Sequence, residues 1–117
     1  MKEITIWHNP RCSKSREAMS ILEENNCKSN VIKYLDEVPT KEELKKVLKM
    51  LGFSSVREWI RTKESIYKEL ELDKELNEEK LIDAMIQYPK LIERPVIIKE
   101  NKAIIGRPTY IIKEFIS

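Results

Sequence analysis

The sequence predicts an α/β fold, a mixed four-stranded sheet carrying helices, with a helical insertion in the middle of the chain. Three observations predict it. A strand–helix–strand pattern opens the chain, two β-runs and a helix close it, and the stretch from about residue 40 to 90 has helical periodicity throughout. The 117 residues suit a single domain, 1–117, with 41% apolar residues for one core and 36% charged residues for a solvated surface.

Ile4-Thr5-Ile6-Trp7 is a short β-run closed by His8-Asn9-Pro10. Ser15, Ala18, Met19 and Leu22 then recur at i, i+3, i+4 and i+7, which predicts an amphipathic helix over about 13–25. Val31–Leu35 reads as a second strand, parallel to the first because a helix joins them. Thr40-Lys41-Glu42-Glu43 is a capping-box pattern before Leu44, Val47, Leu48 and Leu51, and Gly52 ends that helix. Ser55 and Glu58 repeat the box before Val56, Trp59 and Ile60. A short helix is expected around Glu64–Leu70, and another, capped by Asn77, carries Leu81, Ile82, Met85 and Ile86 up to Pro89. Pro95–Lys99 and Lys102–Gly106 form a hairpin about Glu100-Asn101. Pro108 suits the first turn of a last helix that turns Ile111, Ile112, Phe115 and Ile116 inward. The order βαβ, helices, ββα is the thioredoxin-like plan with a helical insert between its halves.

Charge and hydropathy exclude several functions. The formal charge is +2, from 22 basic and 20 acidic side chains of mixed order, so no basic stripe for nucleic acid is present. No apolar run approaches the ~20 residues of a membrane helix. The first strand begins at Ile4, which leaves no room for a signal peptide and predicts a cytoplasmic chain whose two cysteines, Cys12 and Cys27, are free thiols. A monomer is expected.

Cys12 lies between the first strand and the first helix. Free N–H groups and the positive dipole end at a helix start favour an anion, and a thiolate is the nucleophilic form of cysteine. Arg11, Lys14 and Arg16 add positive charge, and His8, the one histidine of the chain, can set the thiol's protonation or position the loop. Ser15 stands where a dithiol motif has its second cysteine, giving Cys-x-x-Ser. A lone cysteine near a helix start often behaves as a small hydrophobe, but an inert core cysteine has no use for these neighbours.

Arginine is used sparingly, at six of 22 basic positions. Arg94-Pro95 at a strand entry and Arg107-Pro108 after a strand's closing glycine therefore look placed. The guanidinium fork grips tetrahedral oxyanions bidentately, and the fold would let Arg61, Arg94 and Arg107 converge on the Cys12 loop. Arg57 reads as solvated or ion-paired. Pro95 is a candidate for the cis proline that faces the thiol in thioredoxin-like chains. Two scattered cysteines and one histidine make no zinc site, so no metal is expected. A tyrosine-phosphatase loop would need Arg where Ala18 stands, and two glycines in the whole chain make no phosphate loop. Cys27 lies about 20 Å along a straight helix from Cys12, whereas a disulfide needs Cα atoms within roughly 7 Å. Cys27 is thus read as structural or incidental, and the resolving thiol as external.

His8-Asn9-Pro10-Arg11-Cys12-Ser13-Lys14-Ser15-Arg16, with Arg61, Glu93-Arg94-Pro95, Gly106-Arg107-Pro108 and the Leu81–Met85 run before Tyr88-Pro89, resembles the glutaredoxin-coupled arsenate reductase (ArsC) family over essentially the whole chain. The resemblance implies an arsenate site made by Cys12 with Arg61, Arg94 and Arg107, supported by Ser15, Arg16 and Pro95, and a role for His8 in keeping the thiol ionised. It also implies a thioarsenate adduct on Cys12, resolved by glutathione and glutaredoxin as external reductants, with no bound cofactor. Two other readings stay open. One is a thiol oxidoreductase of the same build with a different substrate. The other is an Spx-type redox regulator docking on RNA polymerase, although that type uses a Cys-x-x-Cys pair.

Overall fold

The computed structural model describes residues 3–117. The chain folds as two compact units, one made by the N-terminal segment up to Glu37 with Arg94–Ser117, the other by Val38–Glu93.

The first unit holds the sheet. Strands β1 (Ile4–Trp7), β2 (Ser29–Ile32), β3 (Val96–Lys99) and β4 (Lys102–Ile105) lie in the order β2-β1-β3-β4. β1 and β2 are parallel, and β1–β3 and β3–β4 are antiparallel, the mixed four-stranded sheet of a thioredoxin-like fold. Helix α1 (Ser13–Glu24) crosses between the parallel strands. Alternation puts Ile4 and Ile6 on one face of β1, where they form a core with Ala18 and Leu22 of α1, Ile97 of β3 and Ile112. Cys27 packs against that core as a free thiol.

Two boundaries differ from those predicted. The second strand spans Ser29–Ile32 rather than Val31–Leu35, because four-residue β1 pairs only from Ile4↔Ser29 to Trp7↔Ile32. Past Ile32 the chain turns, with the amides of Asp36 and Glu37 on the Lys33 carbonyl at 2.9 and 2.8 Å. Tyr34 there is buried with its ring 6.4 Å from that of Trp7, so the apolar run straddles a strand end and a turn. The last helix, starting at Ile111 and ending at Ile116, does not take Pro108 into its first turn. Pro108 follows a cis peptide bond from Arg107, and amide bonds from Ile111 and Ile112 back to Pro108 and Thr109 make a separate entry turn. Of its expected inward residues only Ile112 is fully buried.

The second unit is helical. Its first helix, α2 (Lys41–Leu51), has both capping-box bonds between Thr40 and Glu43, and Gly52 closes it at φ 76°, in the left-handed region that glycine tolerates best. The Ser55–Glu58 box starts only a single 3₁₀ turn, Val56–Glu58. Helices α3 (Ser65–Glu69) and α4 (Glu78–Gln87) follow, the latter capped by Asn77 and stopped before Pro89. Leu44, Val56, Trp59, Leu81, Ile82, Met85 and Leu91 are buried. Arg57 is half-buried and makes no ion pair among the described residues. Its guanidinium donates to the main-chain carbonyls of Leu72 and Glu75 and to Tyr67 Oη, tying down a stretch of irregular chain. With α5 (Ile111–Ile116) the helices number five among the described residues, and none is long and apolar enough to cross a membrane.

In the first unit Gly106 sits where a Cβ would lie 2.9 Å from Ile112 Cδ1 and 3.0 Å from Pro95 Cγ. Gly106→Ala is therefore expected to destabilise the protein by about 1–3 kcal/mol through overpacking, read as a lower urea midpoint with an unchanged slope.

Candidate active site

The sheet register determines what can meet. Trp7, Val96 and Ile105 are aligned across β1, β3 and β4. Arg94 stands two residues before Val96, Arg107 two after Ile105, and the loop to Cys12 leaves directly from Trp7. All three side chains therefore emerge at one end of the sheet.

The loop is fixed by its own polar groups. The Cys12 amide donates to the Asn9 carbonyl at 3.0 Å and the Arg11 amide to Asn9 Oδ1 at 3.0 Å. Ser15, fully buried in the first turn of α1, accepts from the Asn9 amide at 3.0 Å and lies 2.9 Å from His8 Nδ1. A hydroxyl can serve as hub here because it offers one donor and two acceptor sites. Arg16 Nη1 donates to the Pro10 carbonyl at 3.0 Å.

Cys12 is the N-cap residue of α1, with extended backbone at φ −96° and ψ 124°. Its sulfur makes no conventional cap hydrogen bond, yet the amides of the first turn are near enough to bias its ionisation. Burial pushes the thiol's pKa up. The Ser15 amide, the hydrogen bond and charge of Arg94, and the Lys14 amide together outweigh burial, and the thiol ends below its ordinary value. Arg107 Nη2 lies 3.5 Å from Cys12 Sγ, and its Nε donates to the Arg94 carbonyl at 2.8 Å. Arg107 is thereby held by the chain that enters β3. The Arg94–Pro95 peptide is cis, and the Pro95 carbonyl accepts from the Gly106 amide at 2.8 Å.

Several predicted residues act otherwise than their charge suggested. Arg16 fastens the loop through the Pro10 carbonyl. Lys14 acts on the sulfur through its amide, while its ammonium pairs with Glu17 at 3.6 Å. His8 bonds to Ser15, and burial, then Lys33 and Arg16, lower its pKa and so favour the neutral ring. Arg61 belongs to the second unit, where its Nη1 is 2.9 Å from Glu64 Oε1 and its Nε 3.3 Å from Glu93 Oε1. The sequence reading gave no role to Asn9 or to these two carboxylates. Asn9 could have been found from its place one residue before a proline in a strand-to-helix loop, where its side chain caps the turn. Among the described residues no group of three or more His, Cys, Asp or Glu could hold a metal ion.

A thiolate at a helix tip with two guanidinium groups beside it can bind a tetrahedral oxyanion and attack its central atom. The fold and this loop define a thioredoxin-like protein with a single-cysteine reaction loop. Residues 7–115 match the model of the ArsC family, and the chain belongs to that family. It is 48% identical over 109 residues to an arsenate reductase of Neisseria meningitidis serogroup B, spanning 92% of this chain and 93% of that protein. It is 50% identical over 108 residues to YfgD, an uncharacterized protein of Escherichia coli K12, covering 92% and 91% of the two chains. The solved arsenate reductase of Vibrio cholerae superposes with a TM-score of 0.93 at 44% identity, covering 97% of each chain.

Because Arg94 acts on the sulfur through its side chain and Lys14 through its amide, two substitutions should separate. In a Cys27→Ser background, Arg94→Met should move the pH profile of iodoacetamide alkylation of Cys12 to higher pH. Lys14→Met should leave it in place. Equal behaviour of the two variants would contradict the assignment.

Proposed function

We propose that this chain is a thiol-dependent arsenate reductase. The observation that carries the reading is the pairing of the Cys12 sulfur with Arg107 at 3.5 Å and with Arg94, a nucleophile already lying against groups that neutralise an oxyanion. The relatives named arsenate reductase support the choice of arsenate.

In this reading arsenate bridges the two guanidinium groups, which orient arsenic toward sulfur. The thiolate attacks, an arsenic-bound hydroxyl leaves as water with a proton from solution, and an S–As(V) ester forms. An external thiol must complete the reaction. Cys27 lies beyond the far end of the 12-residue α1, about 18 Å of helix away. A first thiol replaces a second hydroxyl on arsenic, releasing water. A second thiol attacks the sulfur of the first, forming a disulfide and leaving its two electrons on arsenic as As(III). Water then releases arsenite and restores Cys12. Glutathione and glutaredoxin are the thiols proposed for these two steps. His8 is a positioning residue acting through Ser15, and Ser15 occupies the place of the second thiol of a dithiol motif. The reaction requires a reducing compartment, which makes the cytoplasm the proposed location, and one chain supplies the sulfur with Arg94 and Arg107, in keeping with a monomer.

The test is arsenate-dependent NADPH oxidation coupled through glutathione, glutaredoxin and glutathione reductase. Cys12→Ser should abolish activity, and Arg94→Ala should lower kcat/KM by about 10²–10³-fold, as loss of one oxyanion donor does. Activity that survives Cys12→Ser would overturn the reading.

A further inference from the structure

Arg107 leaves the sheet before it reaches the sulfur. Strand β4 ends at Ile105, and the Arg107 amide bonds back to the Ile105 carbonyl at 2.8 Å. The amides of Ile111 and Ile112 return to the carbonyls of Pro108 and Thr109 at 3.3 and 3.1 Å. Residues 107–110 therefore form a turn of their own between β4 and α5. Buried Ile112 ties α5 into the core with Ala18 and Leu22, and the Nε bond to the Arg94 carbonyl ties the arginine to the entry of β3. The turn itself is joined to the helix of Cys12 by a side-chain bond. Thr109 Oγ1 donates to Glu17 Oε2 at 3.2 Å, across 92 positions of sequence.

Glu17 is out of place by charge alone. It stands on α1, the helix whose start at Cys12 favours an anion, about 7–8 Å along the axis from that start. A carboxylate there weakens the hold on an oxyanion, by an amount that solvent screening keeps small. Its bonds give it a use. The oxygen that accepts from Thr109 also lies 3.6 Å from Lys14 Nζ, an i, i+3 pair that steadies the carboxylate on the helix surface. Neighbouring Tyr110 is 76% exposed and so adds little packing to hold the turn. Carboxylate and hydroxyl bridge the element that carries the nucleophile and the element that carries Arg107.

We propose that Glu17 is a positioning residue which, through Thr109, latches the Arg107 turn onto the helix of Cys12 and so sets how tightly the oxyanion is held. That the oxyanion is arsenate rests on the reading of this chain as an arsenate reductase. Backbone geometry brings the turn to this end of the sheet, and the latch limits how far it swings from the helix. An oxyanion entering between sulfur and Arg107 then meets a guanidinium already in place, which spares the cost of ordering it on binding.

The latch is read first without any oxyanion, by ¹⁵N NMR, from solvent exchange of the Arg107 Nε–H proton that bonds to the Arg94 carbonyl. Glu17→Met and Thr109→Val should each speed that exchange about threefold, the scale of one exposed hydrogen bond. The double variant should be no faster than either single one. Glu17→Gln, which keeps an oxygen to accept from Thr109, should restore slow exchange. In turnover, Glu17→Met should raise the KM for arsenate about threefold with kcat held within about twofold. Loss of charge alone would lower that KM, so the sign separates the two roles. Unchanged exchange, additive effects of the two substitutions, or a lower KM in Glu17→Met would overturn the proposal. Faster exchange in a protein that does not turn over arsenate would remove the arsenate reading and keep the latch. Turnover with exchange unmoved would remove the latch alone.

Discussion

The first unit is organised around one electrostatic conflict, a cysteine that is only 8% exposed and whose sulfur is yet stabilised as an anion. Burial alone would hold the proton on. What reverses the balance is a set of donors, namely main-chain amides already fixed by the helix and the guanidinium of Arg94. The same donors that favour a thiolate also favour a tetrahedral oxyanion next to it, so activation of the nucleophile and recognition of the substrate share one piece of electrostatics.

That sharing places demands on the sheet. Arg94 and Arg107 are 13 residues apart, and they meet because the β3–β4 hairpin returns in register, Val96 opposite Ile105. The return is tight: Gly106 has room for no side chain between Pro95 and Ile112. The arginines are thus placed by backbone geometry, and the loop of Cys12 by the hydroxyl of Ser15 and the amide of Asn9. Little of the site depends on flexible side chains finding one another in solution.

The order of strands and helices along the chain, the helical middle and the place of Cys12 were legible in the sequence because each rests on local pattern: period-two runs, capping boxes, a cysteine at a strand-to-helix step. Errors arose where tertiary pairing overrode the local signal. The run Val31–Leu35 has strand character throughout, but the length of β1 truncates its partner, and Tyr34 is used by Trp7 instead. Pro108 has the chemistry of a helix start, yet it serves the turn that delivers Arg107. Charge was the least transferable signal. Arg16 bonds the Pro10 carbonyl, Lys14 pairs with Glu17, and Arg57 bonds the Leu72 carbonyl, partners that no local pattern specifies. A sequence shows that a charge is present, whereas the direction of its side chain depends on neighbours brought in by the fold.

The most direct measurement of the account is the thiolate absorbance near 240 nm of Cys27→Ser protein followed against pH. A step below the ordinary range of a cysteine thiol, returned toward that range on unfolding in urea, is the predicted result. An ionisation at or above that range in the folded protein would contradict the claim that amides and guanidinium groups outweigh burial at this sulfur.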